Sequence, residues 1–400
     1  MRLVQKYGGS SVGTIDQIKS IAENLVNQKN QGKELVVVVS AMGKTTNSLL
    51  AKAGSITSNP NKRELDRLLS VGEQETIALL TMALNALGVD AISLTGYQAG
   101  IETTGIHTKS KIKKIDSEKL ENYLSEGKIV IVAGFQGINE AGDITTLGRG
   151  GSDTSAVALA ASLGCRCEIY TDVEGIYGVD PRVYPEAGKI KDISYEEMME
   201  MSNLGAGIME VRAVELGKKY GVPIYVGKTL SDKGGTNIVE KNLDMEEKVI
   251  TGLGITDDII LVTLKSLKNT PENISKIFEA LGDAGVNIDM ISQTLVENGG
   301  LNLSFSCLDT ELNLLHEALS TIERELGPIE IEEHIHFTKI SLVGIGMMSH
   351  SGVAGRVFKI FAREGIRFYQ VTTSEISISY AIDPKDRERT VFALAKEFNL

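Results

Sequence analysis

Over the first 230 positions the apolar residues fall into two alternating patterns. Short continuous runs at Leu3–Tyr7, Leu35–Val39, Ala91–Leu94, Ile129–Ala133, Glu168–Val173 and Pro223–Val226 predict strands. The β-branched run Val36-Val37-Val38-Val39 suits a strand covered on both faces of a parallel sheet. Between these runs apolar positions recur at helical spacing. Ile15, Ile18, Ala22, Leu25 and Val26 mark a helix after the first strand, with further helical patterns around residues 63–87, 117–125, 194–203 and 209–220. Ser155–Ala161, a run of good helix formers closed by Gly164, predicts a buried helix. Strands alternating with helices imply a layered α/β domain, whose binding site belongs where strand carboxyl ends meet helix amino ends.

After Leu230–Thr236, which reads as a linker, the pattern repeats itself. Phe278, Leu281, Gly285, Val286, Ile288 and Ile291 return 80 residues later as Phe358, Phe361, Gly365, Ile366, Phe368 and Val371. Each copy runs strand, helix, glycine, strand and then an alternating strand. Leu301, Leu303, Phe305 and Cys307 in the first answer Ile376, Ile378, Tyr380 and Ile382 in the second, with a longer first turn at Asn298-Gly299-Gly300. Alternation of this kind means one covered face and one polar face. A closing helix follows in each copy, near 310–326 and 386–398.

Composition narrows the class. At 400 residues the chain has room for two to four domains, and 41 basic against 53 acidic residues leave a net charge of −12. That balance disfavours nucleic acid as a partner. The three cysteines, Cys165, Cys167 and Cys307, show neither metal-ligand spacing nor a secreted disulfide pattern. With no signal-type apolar core after Met1 and no apolar run of spanning length, a cytoplasmic protein without a membrane partner is expected.

Candidate chemistry centres on Leu147-Gly148-Arg149-Gly150-Gly151-Ser152-Asp153-Thr154, just before the buried helix. Glycines at a helix start leave backbone N–H groups and the positive dipole end open to an anion, and the arginine fork suits a carboxylate or phosphate. Taken alone, the stretch is equally a glycine-rich turn with Ser152 and Asp153 as caps. Lys6-Tyr7-Gly8-Gly9-Ser10-Ser11 is a second cradle of strand, turn and helix. The Gly43-Lys44-Thr45 triplet is a decoy for the common nucleotide loop, because Val38 stands where its first glycine belongs. Val343-Gly344-Ile345-Gly346-Met347-Met348-Ser349 likewise lacks the third glycine of a dinucleotide fingerprint. Glu73 by itself reads as a first-turn acid of the helix that follows it. Glu174–Arg182 is a shaped loop, able to stack an aromatic on a base and aim Arg182 at phosphate, or simply a surface loop.

Together, Lys6-Tyr7-Gly8-Gly9-Ser10-Ser11, Ser40-Ala41-Met42-Gly43, Gly148–Asp153 and Thr171-Asp172-Val173-Glu174-Gly175-Ile176-Tyr177 resemble the aspartokinases of the amino-acid kinase superfamily, across nearly the whole chain. The resemblance implies a three-layer αβα catalytic domain over 1–230, a linker over 231–248, and two βαββαβ ACT regions over 249–332 and 333–400. A strand at 249–255 leaves room for one module to be nested in the other. It also implies the monofunctional form, with no dehydrogenase domain appended, and transfer of phosphate from ATP to the side-chain carboxylate of L-aspartate. That is the first step towards lysine (through diaminopimelate), threonine and methionine.

By the same resemblance Lys6 and Asp153 are catalytic, and Ser40, Thr46, Glu73, Arg149, Gly150, Gly151 and Ser152 bind substrate. Lys6, Tyr7, Gly8, Gly9, Ser10, Thr171, Asp172, Tyr177 and Arg182 bind ATP, with Mg2+ held mainly by its phosphates rather than by a protein ligand. The effector, lysine and/or threonine, would meet Asn287, Ile288, Asp289, Ile291 and Gln293, with Met348, Ser349, Val353 and Ala354 from the other module. The ACT pair would also form a homo-oligomer; without the resemblance it reads equally as a platform that binds no ligand. One stretch departs from the family. Gly205-Ala206-Gly207-Ile208-Met209-Glu210-Val211-Arg212 has Gly207 where many relatives carry a nucleotide-contacting lysine, so Lys228 nearby reads only as a strand-end charge. Two rivals stand beside this reading: another amino-acid kinase, acting on glutamate, N-acetylglutamate or a nucleotide monophosphate, and a catalytically silent amino-acid sensor.

Overall fold

The computed structural model describes residues 1–207, 209–240, 248–296 and 299–400; 241–247 of the expected linker and Asn298 of the longer turn lie outside them. The chain divides into two compact units. The first comprises Met1–Ile176, Lys189–Ser202 and Gly207–Met245, and the second Tyr177–Gly188, Asn203–Ala206 and Glu246–Leu400.

In the first unit an eight-stranded sheet runs from edge to edge as Asp192–Ser194, Thr236–Val239, Ile224–Lys228, Arg166–Thr171, Arg2–Tyr7, Glu34–Val39, Ile129–Ala133 and Ala91–Leu94. All neighbours are parallel except Ile224–Lys228 with Thr236–Val239. The valine run is buried throughout because both faces are covered. Leu3, Leu35, Val37 and Ile131 pack with Ile18, Leu25, Ile77 and Leu80 from helices Ile15–Asn30 and Val71–Ala86. Val4, Val36, Val38 and Val130 are buried on the other face, where helix Gly151–Leu163 lies across the first two strands. That helix is buried nearly all round, as its run of alanines foretells. Thr14 and Gln17 close a capping box that starts the helix Ile15–Asn30 cleanly after the first glycine turn.

The helical pattern around 63–87 resolves into two helices, Lys62–Leu69 and Val71–Ala86, and a further helix lies at Thr45–Ile56, where Ala53 alone is buried. A second, four-stranded sheet of Lys111–Ile115, Ile101–Thr104, Gln136–Ile138 and Ile144–Thr146 was also not foreseen, since its strands are short and polar. Thr236–Val239 corrects the linker reading: its amide ladder pairs it into the large sheet, whereas its sequence is too short to show a period.

The second unit holds a six-stranded antiparallel sheet. Its order is Ile291–Leu295, Gly300–Leu308, Gly252–Lys268, Glu330–Val343, Ser377–Ile382 and Phe368–Thr373. Two long central strands serve both repeats, so the extra strand read at 249–255 is the leading part of Gly252–Lys268. Ile260, Val262 and Leu264 enter a core with Ile277, Leu281, Phe305 and Leu315. Leu253, with Ile250 just before the strand, enters the other core, with Ile340, Leu342, Val357, Phe361, Tyr380 and Leu394. Helices Pro271–Ala284 and Leu312–Leu326 cover the first core, and Val353–Glu364 and Arg387–Phe398 the second.

Gly100 and Gly32 separate two costs of adding a side chain. Both sit at φ near +80°, at +81° and +82°, but a Cβ on Gly100 would lie 2.1 Å from the Asp116 carbonyl oxygen, while nothing stands within 4 Å of one on Gly32. Gly32→Ala should cost about 1 kcal/mol, the backbone term alone. Gly100→Ala should cost clearly more in urea denaturation, because backbone must move; equal losses would show that the Asp116 turn relaxes freely.

Candidate active site

The parallel strands of the first unit end together, and the glycine turns that follow them build the site. Lys6 is the penultimate residue of its strand, and Asp153 lies in the first turn of helix Gly151–Leu163. Lys6 Nζ stands 2.6 Å from Asp153 Oδ1, both largely buried, an ion pair rather than an aligned hydrogen bond. The helix opens at Gly150, at φ +63°, with no side chain capping it, so Ser152 and Asp153 are not the caps that the bland reading supposed. The amides of Gly151 and Asp153 close turns on the carbonyls of Gly148 and Gly150. Close packing forbids side chains here: a Cβ on Gly151 would lie 2.9 Å from the Phe135 ring, and one on Gly150 would lie 2.5 Å from Glu210 Cβ.

A cavity of about 270 Å³ opens at this point. It is lined by Lys6, Ser40, Thr46, Glu73, Arg149, Gly150, Gly151, Ser152 and Asp153. Every residue expected to be catalytic or to bind substrate is therefore gathered in one place. The structure adds Ala41, Gly43, Gly148 and Phe135 to the lining. Phe135 had no signal in sequence. Its φ of +70° is a left-handed conformation that is costly for an aromatic residue, and its backbone is pinned by Ser155 Oγ at 3.1 Å and by the Leu147 amide at 2.9 Å.

Glu73 is 3 % exposed. Its Oε1 accepts from the Ala41 amide at 3.2 Å, while its Oε2 is buried without a hydrogen-bond partner. Burial pushes its carboxyl up to about 7, against the smaller opposing effect of backbone hydrogen bonds. Glu210, beside the Gly150 turn, is also raised by burial, with Arg212 acting the other way. Arg149 is exposed at the rim.

The expected nucleotide residues divide. Gly9 lines the cavity, and a Cβ there would lie 2.8 Å from the Ala41 carbonyl oxygen, so backbone approaches closely on this side. The Gly8 amide donates to the Tyr170 carbonyl, which brings Tyr7, Gly8 and Ser10 beside the end of the strand carrying Thr171. Thr229, not anticipated, joins the two: its hydroxyl meets Ser11 Oγ at 2.6 Å and its amide donates to the Thr171 carbonyl at 3.0 Å. Thr171 Oγ1 donates to Asp172. Tyr177 and Arg182 belong to the second unit, where Arg182 is paired with Asp180 at 2.7 Å. Gly207 sits at φ +51° and Lys228 is exposed at the end of its strand.

Of the expected effector residues, Ile291 and Gln293 are exposed on an edge strand, and Met348 and Ser349 precede helix Val353–Glu364. Asn287 is held by Glu311, and Ile288 packs against the first core. Asp289 is paired with Lys339, whose side chain is only 3 % exposed. Val353 is buried in the second core with Ala354 against it, because its helix turns that face inward.

The family model described as "Amino acid kinase family" matches residues 1–228, and one described as "ACT domain" matches 340–398. The chain is 45 % identical over 400 residues to an aspartokinase of Bacillus sp. (strain MGA3), covering 100 % of this chain and 97 % of that one. It is 44 % identical over 402 residues to aspartokinase 2 of Bacillus subtilis (strain 168), covering 100 % and 98 %. The solved structure of E. coli aspartokinase III in complex with aspartate and ADP (R-state) superposes with a TM-score of 0.84 at 23 % identity, covering 100 % of both chains. With matches that run the full length at this identity, the chain belongs to the aspartate kinases of the amino acid kinase family.

Proposed function

We propose that the Lys6–Asp153 cavity transfers the γ-phosphoryl group of ATP to the side-chain carboxylate of L-aspartate. The observation that carries the reading is the pairing of a buried, unpartnered Glu73 oxygen with Arg149 in one small cavity. A carboxylate and a guanidinium in one cavity match the ammonium and α-carboxylate of an amino acid, and a ligand lacking the ammonium leaves the buried Glu73 carboxylate unmatched. Ser40 and Thr46 add hydrogen-bonding groups to the same lining.

The acceptor carboxylate is already ionised at neutral pH, so the reaction needs no base. One of its oxygens attacks the γ-phosphorus, the bond to the oxygen bridging the β- and γ-phosphates breaks, and 4-phospho-L-aspartate and ADP leave. The protein's part is positioning and charge neutralisation. Lys6, held by Asp153, stands where the transferring group gains charge, and the Gly8–Ser10 turn and Thr171 border the phosphate side. Among the described residues no group of three or more His, Cys, Asp or Glu is placed to hold a metal ion. Mg2+ on the ATP phosphates would supply further neutralisation without a protein ligand.

The six-stranded sheet supports a regulatory reading. Both of its edges are open, and Ile291 and Leu295 on one are 51 % and 68 % exposed. Such edges suit pairing with a second copy of the chain. An effector, lysine and/or threonine, would bind near Ile291, Gln293, Met348 and Ser349, sharing Asp289 with Lys339 rather than taking it alone.

Arg149→Ala should raise KM for aspartate about 10- to 100-fold, the loss of a shielded charge-assisted contact, and Lys6→Ala should lower kcat about 100-fold or more; unchanged steady-state kinetics in either would remove that role. Glu73 gives a pH test. Its carboxylate must be ionised to hold an ammonium, so kcat/KM for aspartate should fall as pH drops through about 7. Stability runs the other way. A raised carboxyl binds its proton more tightly folded than unfolded, so its contribution is full below about 4.5 and lost as pH rises through about 7. Glu73→Gln should therefore be more stable than the parent protein in melts at pH 8 and no more stable at pH 4; the same difference at both would refute the burial argument. For regulation, ADP release with MgATP and aspartate should be suppressed by lysine, threonine or both together, with methionine as comparison. Turnover unaffected by any would leave the second unit purely architectural.

A further inference from the structure

Asp66 is a buried carboxylate outside the cavity. It is 0 % exposed, in the middle of helix Lys62–Leu69, and its oxygens are engaged by the segments that lead into the site. Oδ1 and Oδ2 accept from the Thr108 amide at 3.0 and 3.1 Å, Thr146 Oγ1 donates to Oδ1, and His107 Nδ1 lies 2.6 Å from Oδ2. Burying an anion so fully is costly unless each lone pair is used, and here several donors converge on it.

These partners determine where Arg149 stands. Thr146 ends the strand that runs into Leu147-Gly148-Arg149. Thr108 sits at φ +69°, a strained conformation for a branched residue, and its carbonyl oxygen lies 3.2 Å from where a Cβ of Gly148 would be. Asp66 holds that strained turn through its amide, and the turn in turn backs Gly148. Arg212 reinforces the same arrangement by donating to the carbonyls of Leu147 at 2.6 Å and Ser110 at 3.0 Å. The other end of the Asp66 helix runs through Ser70 into the helix bearing Glu73, and Gln136 Nε2 donates to the Ser70 carbonyl at 2.9 Å. One buried anion thus ties the backbone leading to Glu73 to the backbone leading to Arg149.

We propose that Asp66 is a positioning residue for the amino-acid half of the site, acting through Thr146 and Thr108 to set Arg149 against Glu73. It touches no substrate. The inference rests on the reading that Glu73 and Arg149 hold aspartate, and the nucleotide side, built on other strands, is untouched by it.

The test is steady-state kinetics of the full chain with MgATP and L-aspartate for Asp66→Asn, Thr146→Val and Thr146→Ser. Asp66→Asn presents an amide to the Thr108 N–H, and Thr146→Val removes one hydroxyl at nearly constant volume. Each should raise KM for aspartate about tenfold, a misplacement effect, while KM for ATP stays within about twofold. Thr146→Ser, which keeps the hydroxyl, should restore the parent value. A general loss of structure would move both KM values or only the melting temperature. A folded Thr146→Val with unchanged KM for aspartate overturns the proposal, and that variant decides the matter if Asp66→Asn does not fold. Arg149→Ala is measured in parallel. If it raises KM for aspartate and Thr146→Val does not, only the positioning role falls; if it leaves KM unchanged, the placement of aspartate falls and the positioning role with it.

Discussion

The buried pair of Lys6 and Asp153 is the constraint around which the first unit is arranged. Two charges taken out of water are tolerated only when each faces the other, and removing either would strand its partner. The pair therefore demands that the first strand lie beside the helix Gly151–Leu163, and the parallel sheet with its enclosed valines supplies that alignment. It also demands that the helix begin without a capping side chain, since any larger residue at Gly150 or Gly151 would collide with Glu210 or Phe135. Charge pairing and glycine placement meet at the same turn, where a buried cation is held beside the uncapped start of a helix.

Around that pair the structure gathers strained backbone and a buried carboxylate oxygen without a hydrogen-bond partner. Phe135 and Thr108 are both held at positive φ, each with its amide donating to a residue remote in sequence. Glu73 keeps one oxygen unpartnered in a nearly closed setting. Such features lower stability in isolation, and they persist because the surrounding sheet and turns over-determine them. Their clustering around one cavity, rather than their individual presence, gives the site its meaning. The second unit shows the opposite economy. There Asp289, expected to face a ligand, is engaged by Lys339 from a central strand, and Val353 is taken into a core.

The candidate site turns were legible in sequence because their chemistry is local, while the role of each residue came from the joint resemblance of the motifs to a family. A strand end, a glycine turn and a helix start each announce themselves within ten residues, and a lysine or arginine in such a turn points to an anion. The repeat was legible for a similar reason, as an alternating strand keeps its period whatever it packs against. Thr236–Val239 and the four-stranded sheet were not, because short polar strands owe their conformation to hydrogen bonds made with other strands. Phe135, Thr229 and Asp66 were hidden for the same reason: nothing in their neighbours reveals a partner that lies far along the chain.

What the sequence by itself determined was the α/β class and the duplicated second half, which follow from periodicity and turn chemistry, and, through its resemblance to a family, the set of candidate site residues. What only the tertiary structure decided was which groups share a cavity, which are already paired, and which carboxylates are buried. Burial and register are properties of the packed chain, and they alone raise the carboxyl of Glu73 and close Asp66 upon Thr108 and Thr146.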